Sequence, residues 1–290
     1  MPRDCWALRP EPMMGDLAAK LVRKHESSQQ TEVPHVEYSA INHAFHSRSG
    51  RPTVTIENVS ISIPRGQFVA LVGPSGCGKT TLLNMVAGLV RPSSGSVRVA
   101  NEEVTSPRRD VGYMCARDGL LPWRVARDNV ALGLEIRGVV KRERDARAHQ
   151  LLQLVGLGQF EDAYRNQLSQ GMRQRVAIAR TLAIDPELFL LDEPFAALDA
   201  QTKMAIQNEF ITVWEARKTT VVLVTHDIAE AVLMADRVIV FTHRPARIKR
   251  DLKIDISRPR DPDRLRFSSQ FASLTELLWS DLKREMEVTA

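Results

Sequence analysis

The stretch with the clearest chemical potential is "VGPSGCGKTTLL", which runs from Val72 to Leu83. It fits the pattern G-x-x-x-x-G-K-[ST], in which glycines let backbone N–H groups turn towards phosphate oxygens. Lys79 is expected to reach the β- and γ-phosphates, and the Thr80 hydroxyl to ligate Mg²⁺. The motif therefore predicts a bound nucleoside triphosphate, with contacts from Gly73, Pro74, Ser75, Gly76, Cys77, Gly78, Lys79, Thr80 and Thr81. No general base accompanies Cys77, so we interpret that residue as a small filler whose backbone makes the contact.

A pair of carboxylates ends another apolar run. In "ELFLLDEP", Asp192 and Glu193 directly follow a hydrophobic stretch. An acid at the carboxyl end of a buried strand can hold Mg²⁺, as the Walker B aspartate does. The second carboxylate points elsewhere and could polarise the water that attacks the γ-phosphate. A solvated acidic turn is the alternative that these two residues alone leave open.

The elements that must position these residues alternate along the chain. "QFVALVG", "ELFLLDEP" and "TTVVLVTHD" are typical of short buried strands, each followed by a helical pattern, which indicates an α/β fold with a mainly parallel sheet. "HVEYSAINHAF" predicts one earlier strand and "TVTIENVSISIPRG" a pair of β runs. We predict a poorly ordered extension over residues 1–35, an α/β domain over 36–243 and a C-terminal tail over 244–290. The tail ends in a helix that carries Phe271, Leu274, Leu278 and Leu282 on one face and could pack on the domain or on a partner.

The composition of the 290-residue chain is that of a globular protein, with 43% apolar and 26% charged residues. A net charge of +5 leaves three interpretations open: a nucleic-acid surface, a position against an anionic membrane face, or an arginine-rich chain with no such partner. Aromatic residues are only 6% and do not alternate with basic runs, which disfavours a single-strand binding platform. Three cysteines in no metal or disulfide spacing suit a reducing cytosol. With no secretory signal and no apolar run of membrane-spanning length, we expect any membrane role to be exerted from the aqueous side.

A longer stretch, "LSQGMRQRVAIARTLAIDPELFLLDEPFAALDAQT", resembles the signature helix, Walker B strand and D-loop of ABC-transporter nucleotide-binding subunits. "VTHD" stands where that family has its switch histidine, so the resemblance covers roughly residues 36–240. "ARDGLLPWRVARDNVALGLEI" and "ISRPRDPDRLRF" look like the nitrate, sulfonate and taurine branch of bacterial import ATPases. The resemblance implies a P-loop NTPase of the ABC type: a mainly parallel sheet core, an antiparallel β subdomain and a helical signature subdomain over about residues 117–170.

The same resemblance implies roles for single residues. Phe45 stands near the position of the aromatic that stacks on adenine, although a core position at a strand end is weighed almost equally. Ser169 and Gly171 would touch the γ-phosphate bound by a second copy, with the helix behind them, from Met172, aiming its N-terminus at that anion. Asp199 would lie across the interface between the copies. The implied catalytic residues are Lys79, Glu193 as the base, and His226, which would hold the γ-phosphate and the attacking water.

The family binds two ATP molecules between two domains arranged head to tail; binding closes the pair, and hydrolysis opens it. The movement passes to membrane subunits through a groove beside "LLPW", so Leu120, Leu121 and Trp123 are predicted to be surface that receives a coupling helix of the permease. The implied protein is the ATPase subunit of an importer for a small anion such as nitrate, a sulfonate or taurine. It would be peripheral on the cytoplasmic face of the bacterial inner membrane, served indirectly by a periplasmic solute-binding protein and without nucleic acid.

The chain departs from the family pattern in three places. Gln170 replaces the first glycine of the signature motif and Met172 its glutamine, while Ser169 and Gly171 remain. Ala116 replaces a glutamine that contributes an oxygen to Mg²⁺ and the attacking water, so either water fills the place or hydrolysis is slower and more dependent on closure. Two alternatives stay open: a soluble ABC-type ATPase acting on DNA or ribosomes, and a slow nucleotide switch. The first is disfavoured because the chain has neither a second set of motifs nor room for a long coiled-coil insert.

Overall fold

A computed structural model of the protein describes residues 34–46, 50 and 52–287. Nearly all of the predicted N-terminal extension lies outside these residues. The strands are β1 (Pro34–His46), β2 (Pro52–Pro64), β3 (Phe68–Val72), β4 (Ser94–Val99), β5 (Glu102–Glu103), β6 (Val111–Met114), β7 (Leu188–Asp192), β8 (Thr220–Val224), β9 (Arg237–Phe241) and β10 (Ile248–Lys253). The α-helices are α1 (Lys79–Val86), α2 (Ala126–Ile136), α3 (Lys141–Leu154), α4 (Gln170–Ala183), α5 (Ala200–Arg217), α6 (Ile228–Met234), α7 (Pro262–Leu265) and α8 (Ser269–Glu287).

The main sheet has six strands in the order β10-β9-β3-β8-β7-β6. All neighbours are parallel except β10, which pairs antiparallel with β9 at one edge. Every residue of β3, β7 and β8 is buried, because helices or the second sheet cover both faces; this is why these strands appear in the sequence as continuous apolar runs. Their carboxyl ends meet at one edge of the sheet, where the phosphate loop, Glu193 and His226 follow them.

The second sheet is antiparallel, in the order β2-β1-β4-β5. Residues 52–64 form one continuous strand, not the pair of β runs expected from the sequence. The strand continues through Asn58, which takes a left-handed φ of 49°, so one residue absorbs the irregularity without a turn. A core that includes Tyr38, Ile41 and Ile63 joins this sheet to α1 and to one face of the main sheet.

Helices α2, α3 and α4 pack against one another. The helical region therefore extends through α4 to Ala183, beyond the limit of about residue 170 expected from the sequence. Buried side chains of α4 explain this extension, since Val176, Ala177 and Ala179 belong to the same core as α2 and α3.

The C-terminal segment packs on the domain, which decides between the two positions that the sequence left open. Residues 248–253 form the edge strand β10, and Phe271, Leu278 and Leu282 of α8 are buried in the main core. The segment predicted as a tail from residue 244 onwards is thus part of the same folded body. The predicted fold class, with a mainly parallel sheet, an antiparallel β subdomain and a helical subdomain, is confirmed. No helix in the described part of the chain is long and apolar enough to cross a membrane.

Candidate nucleotide-binding site

The phosphate loop joins β3 to α1 and curls around a lysine ammonium. Lys79 is 6% exposed, and its Nζ donates to the carbonyl oxygens of Gly73 at 2.7 Å and Pro74 at 2.8 Å. The curl needs φ values of 73° at Gly76 and 127° at Gly78, which side chains with a Cβ strongly disfavour. The loop thus has the shape and the cation that a phosphate group requires.

Behind the loop, Thr80 faces the aspartate at the end of β7. The Thr80 hydroxyl lies 3.1 Å from Oδ1 and 3.0 Å from Oδ2 of Asp192, which is 4% exposed. Burial raises the pKa of Asp192 and the charge of Glu193 adds to this, while the Thr80 hydrogen bond and the charge of Lys79 oppose it. A hydroxyl and a carboxylate suit Mg²⁺, which takes its other ligands from phosphate and water. The described residues contain no cluster of three or more His, Cys, Asp or Glu side chains that could hold a metal without such help.

The next residue, Glu193, faces a different partner. Its φ of 49° is left-handed, and its N–H donates to the carbonyl of Val224 at 2.9 Å, which holds this conformation in place. Its Oε1 lies 3.3 Å from Nδ1 of His226, in the loop after β8. The Glu193 side chain is 34% exposed and that of His226 is 61% exposed, so both can reach a ligand in front of the sheet. The structure thus brings together the predicted base and the predicted switch histidine.

Phe45 lies at the end of β1, opposite Thr53 of β2. It is 48% exposed, and its ring meets His43 edge-on at a centroid distance of 4.6 Å. This exposure excludes the core position that the sequence left open. Further along β2, Ile56 touches the phosphate loop, since its Cγ1 would lie 3.0 Å from a Cβ placed on Gly78. An exposed aromatic ring therefore stands on the strand pair that borders the loop.

The signature residues lie at the start of α4. Ser169 is the N-cap, and its hydroxyl oxygen accepts a 3.3 Å hydrogen bond from the Met172 N–H. The helix begins at Gln170, two residues earlier than predicted, because this cap terminates it on the N-terminal side. Ser169 is exposed, which leaves the positive end of the helix open to an anion.

Gly171 packs beside the loop that follows β7. A Cβ placed on Gly171 would lie 3.6 Å from Leu198 Cδ2 and 3.7 Å from the Ala197 carbonyl oxygen. The exposed Asp199 caps α5 by accepting from the Thr202 N–H at 3.0 Å. Within the described residues, no hydrogen bond or ion pair joins Ser169, Gly171 or Asp199 to the phosphate loop. The predicted site residues therefore form two groups in one chain.

Ala116 is exposed in the loop after β6, and its methyl side chain offers no oxygen to a metal ion or a water molecule. Two residues later, Asp118 accepts from Arg165 at 3.0 and 3.1 Å, and its Oδ2 lies 3.3 Å from Nε of Arg173. Arg180 of α4 donates to the Asp118 carbonyl at 2.7 Å. Burial opposes ionisation of Asp118, but the hydrogen bond from Arg165 and the nearby charges outweigh it and lower the pKa. These contacts tie the loop to α4; sequence reasoning missed them because the partners are far apart in the chain and no local pattern joins them.

The predicted docking surface needs one correction. Leu120 is only 5% exposed and belongs to the main core, whereas Leu121 is half-buried and Trp123 is 71% exposed. The buried Asn129 accepts from the Leu121 N–H at 2.8 Å and donates to carbonyls of the same loop, which leaves Leu120 turned into the core. Beside Trp123 in the chain, a surface hollow of about 380 Å³ is lined by Pro122, Tyr164, Arg165, Asn166 and Gln167.

Comparison with known proteins identifies relatives over most of the chain. The ABC transporter family profile matches residues 56–196. An uncharacterized ABC transporter ATP-binding protein of Methanocaldococcus jannaschii is 46% identical over 82% of this chain and 90% of its own length. A taurine import ATP-binding protein of Rhizobium johnstonii is 42% identical, over 81% of this chain and 93% of its own. A nitrate import ATP-binding protein of Synechocystis is 39% identical, over 83% and 94% respectively.

Solved structures agree with these relatives. A dimeric ATP-binding cassette in a post-hydrolysis state, bound to ADP and phosphate, superimposes with a TM-score of 0.71 at 32% identity. The match covers 77% of this chain and all of the solved chain. The ABC-type fold expected from the resemblance is thereby confirmed.

Proposed function

This chain belongs to the family of ABC transporter ATP-binding proteins, and we propose that it is the ATP-hydrolysing subunit of a bacterial importer for a small anionic solute. ATP binding is the common property of the family. The observation that carries the proposal of hydrolysis is the convergence of the phosphate loop, the Thr80–Asp192 pair and the Glu193–His226 pair at one edge of the main sheet.

Nucleotide binding is assigned to the loop and to the strand beside it. The exposed ring of Phe45 stacks on adenine, and the Lys79 ammonium exchanges its loop carbonyls for the β- and γ-phosphates. Thr80 and Asp192 hold Mg²⁺, which neutralises charge on the phosphates. The remaining phosphate contacts are backbone N–H groups of the phosphate loop over residues 73–81, apart from Pro74, which has no N–H and only shapes the loop.

Hydrolysis is assigned to Glu193 and His226. The Glu193 carboxylate accepts a proton from the attacking water, and His226 holds that water and the γ-phosphate in line. Ala116 leaves one polar contact with this water unmade, so turnover is slower than it would be with an amide side chain at that position.

Two copies complete each other's site. Ser169 and Gly171 of one copy contact the γ-phosphate held by the other, and Asp199 lies across the interface. The exposed capped end of α4 and the separation of the two groups within one chain support this arrangement. Binding of two ATP molecules closes the pair, and hydrolysis reopens it.

The permease docks where Leu121 and Trp123 line the surface, beside the hollow at residues 164–167. This placement puts the protein on the cytoplasmic face of the membrane as a peripheral subunit, with a solute-binding protein as an indirect partner. The taurine and nitrate import relatives support a small anion as the solute, although contacts with the solute belong to the other subunits.

Two experiments test this function. The purified protein is expected to hydrolyse ATP in the presence of Mg²⁺ and to co-purify with a membrane permease. In a strain that lacks the gene, uptake from a panel of taurine, other sulfonates and nitrate is expected to fail for one class of solute. Retained uptake of every solute, together with no membrane partner, would favour a soluble ATPase.

A further inference from the structure

The loop between β9 and β10, residues 242–247, carries an arginine to the phosphate loop. Nε of Arg244 donates to the Gly76 carbonyl oxygen at 2.6 Å. We propose that Arg244 is a positioning residue for nucleotide binding, which fixes the peptide between Gly76 and Cys77 so that the Cys77 N–H faces the phosphates. This inference rests on the nucleotide-binding role proposed above and adds a residue that lies far from the phosphate-loop motif in the chain.

The peptide bond between Gly76 and Cys77 is planar. In a trans peptide the C=O and the N–H point in opposite directions. Because Arg244 holds the Gly76 oxygen on the outside of the loop, the Cys77 N–H is directed towards the inside. It lies 3.3 Å from the Pro74 carbonyl oxygen, which also receives the Lys79 ammonium at 2.8 Å. The N–H and the ammonium thus converge on one point, where a phosphate oxygen can replace the carbonyl.

The backbone of Gly76 restricts rotation of this peptide only weakly, because glycine has no Cβ. The orientation of the peptide between Gly76 and Cys77 is set by ψ of Gly76 and φ of Cys77, and a glycine without a Cβ restricts its own ψ less than other residues do. A charge-assisted hydrogen bond from a guanidinium is directional and stronger than one between neutral groups. Arg244 therefore adds a second restraint to a peptide whose N–H donates to the Pro74 carbonyl oxygen, and it keeps the orientation of that peptide when a phosphate oxygen replaces the carbonyl.

Hydrogen bonds on both sides of Arg244 hold the loop that carries it. Ala246 is fully buried; its N–H donates to the Thr55 carbonyl at 2.8 Å, and its carbonyl accepts from the Glu57 N–H at 3.0 Å. On the other side, the His243 N–H donates to the Glu285 carboxylate of α8 at 3.1 Å. Strand β2 and the C-terminal helix thus hold the two flanks of Arg244.

Helix α8 holds this loop through more than one contact. Lys249 of β10 donates to the Glu285 carboxylate at 2.7 Å and to the Asp281 carbonyl at 2.8 Å. Burial opposes ionisation of Glu285, but the hydrogen bonds that its carboxylate accepts from Lys249 and His243 outweigh burial and lower the pKa, so the carboxylate stays charged at neutral pH. The C-terminal helix is thereby connected to the nucleotide site through a single loop.

Equilibrium binding of ADP to the full-length protein tests the inference. The Arg244→Ala variant is expected to raise the Kd for ADP about fivefold, as for the loss of one hydrogen bond. The KM for ATP is expected to rise with it while kcat changes less than about twofold, because ground state and transition state lose the same contact. Arg244→Lys keeps the charge but lacks the Nε donor, and its Kd for ADP is expected to lie between those of the wild type and Arg244→Ala.

Arg247→Ala is the matched control. Arg247 lies on the same loop and pairs with Glu57 at 2.7 Å on the surface, with no contact to the phosphate loop in the described residues. Its Kd and KM are expected to stay at the wild-type values. Wild-type affinity in Arg244→Ala, or equal weakening in Arg247→Ala, would overturn the inference. Failure of the wild-type protein to bind ADP would instead overturn the proposed function.

Discussion

Two neighbouring carboxylates, Asp192 and Glu193, face different partners although a single peptide bond separates them. The left-handed backbone at Glu193 turns the chain between them, so that one meets Thr80 in a buried position and the other meets His226 near solvent. Their different surroundings support different roles, one as a metal ligand and one as a base.

Asp192→Asn is expected to affect thermal stability and ATP hydrolysis in different ways. Burial raises the pKa of Asp192, so its charged form is less favourable in the folded chain than in the unfolded chain, and stability from this group is lost as the pH rises through the raised pKa. The amide keeps an acceptor for Thr80 without the buried charge. We expect a thermal midpoint at or above the wild-type value at neutral pH, together with loss of Mg²⁺-dependent ATP hydrolysis. Hydrolysis at the wild-type rate would contradict the assignment of Asp192 as a metal ligand.

Ala116→Gln tests the proposed cause of slow turnover. A glutamine oxygen would supply one contact to the metal and the attacking water, and one hydrogen bond of about 1 kcal/mol corresponds to about fivefold in kcat. Ala116→Asn is the control, since its shorter amide does not reach as far. A steady-state ATPase assay in which Ala116→Gln is no faster than the wild type would show that Ala116 does not limit the rate.

The phosphate loop and the Asp192–Glu193 pair could be predicted because their spacing is local and each follows a buried strand. The contacts of Arg244 with the phosphate loop and of Asp118 with its arginines could not be predicted. The residues that meet lie far apart in the chain, and no local sequence pattern indicates the contact. The burial of Leu120 is not predictable for a related reason, since the sequence does not show which of two adjacent leucines turns inwards.

At the scale of elements, helix α6 is held at both ends. Asp227, next to His226, caps its start by accepting from the Glu230 N–H at 3.1 Å. At its end, Arg260 donates to the carbonyls of Leu233 and Ala235, both at 2.9 Å. Burial lowers the pKa of Arg260 to about 10, and the side chain remains a charged donor at neutral pH. The segment between β10 and α7 therefore fixes the helix that follows His226.

Arg260→Met measures this restraint. The change leaves buried carbonyls without a charged donor, which is expected to lower the free energy of unfolding by about 2–4 kcal/mol in urea titrations. Arg264→Met is the control, because the Arg264 side chain is 91% exposed and, among the residues that the structure describes, its ion pair is with Asp261. Equal stability of the two variants would mean that Arg260 does not hold the end of α6.

Strands β3, β7 and β8 were visible in the sequence because burial on both faces makes them continuously apolar. Strand β10, "IKRDLK", was not, because it is a polar edge strand whose existence depends on pairing with β9. The helical region likewise appeared shorter than it is, since the core contacts of α4 lie with α2 and α3 and not within its own sequence.

At the scale of the whole molecule, a buried histidine joins the two sheets. His35 of β1 is 3% exposed, and its Nδ1 lies 2.6 Å from the Thr220 hydroxyl at the start of β8. Burial lowers the pKa of His35 to about 4, so the neutral form is favoured in the folded chain. The antiparallel subdomain is thereby attached to the main sheet by a contact that depends on pH.

We expect this contact to be fully present above pH 6.5 and to be lost as the pH falls through the lowered pKa of His35. The loss amounts to at most about 3 kcal/mol of unfolding free energy. Chemical denaturation at several pH values is the measurement, and His35→Gln is expected to flatten the profile between pH 6.5 and 4. An unchanged profile in that variant would assign the acid sensitivity to other groups.

The proposed hydrolysis involves two molecules, because the predicted site residues form two separate groups within each chain. Glu193→Gln keeps the nucleotide contacts and removes the proposed base, so ATP should stay bound between two copies. The direct test is the molar mass of this variant in solution with ATP and Mg²⁺, measured by light scattering and compared with 32.6 kDa for one chain. We expect the mass of two chains with ATP, the mass of one chain without it, and no hydrolysis. A variant that stays monomeric with ATP, or that hydrolyses ATP at the wild-type rate, would contradict the proposal.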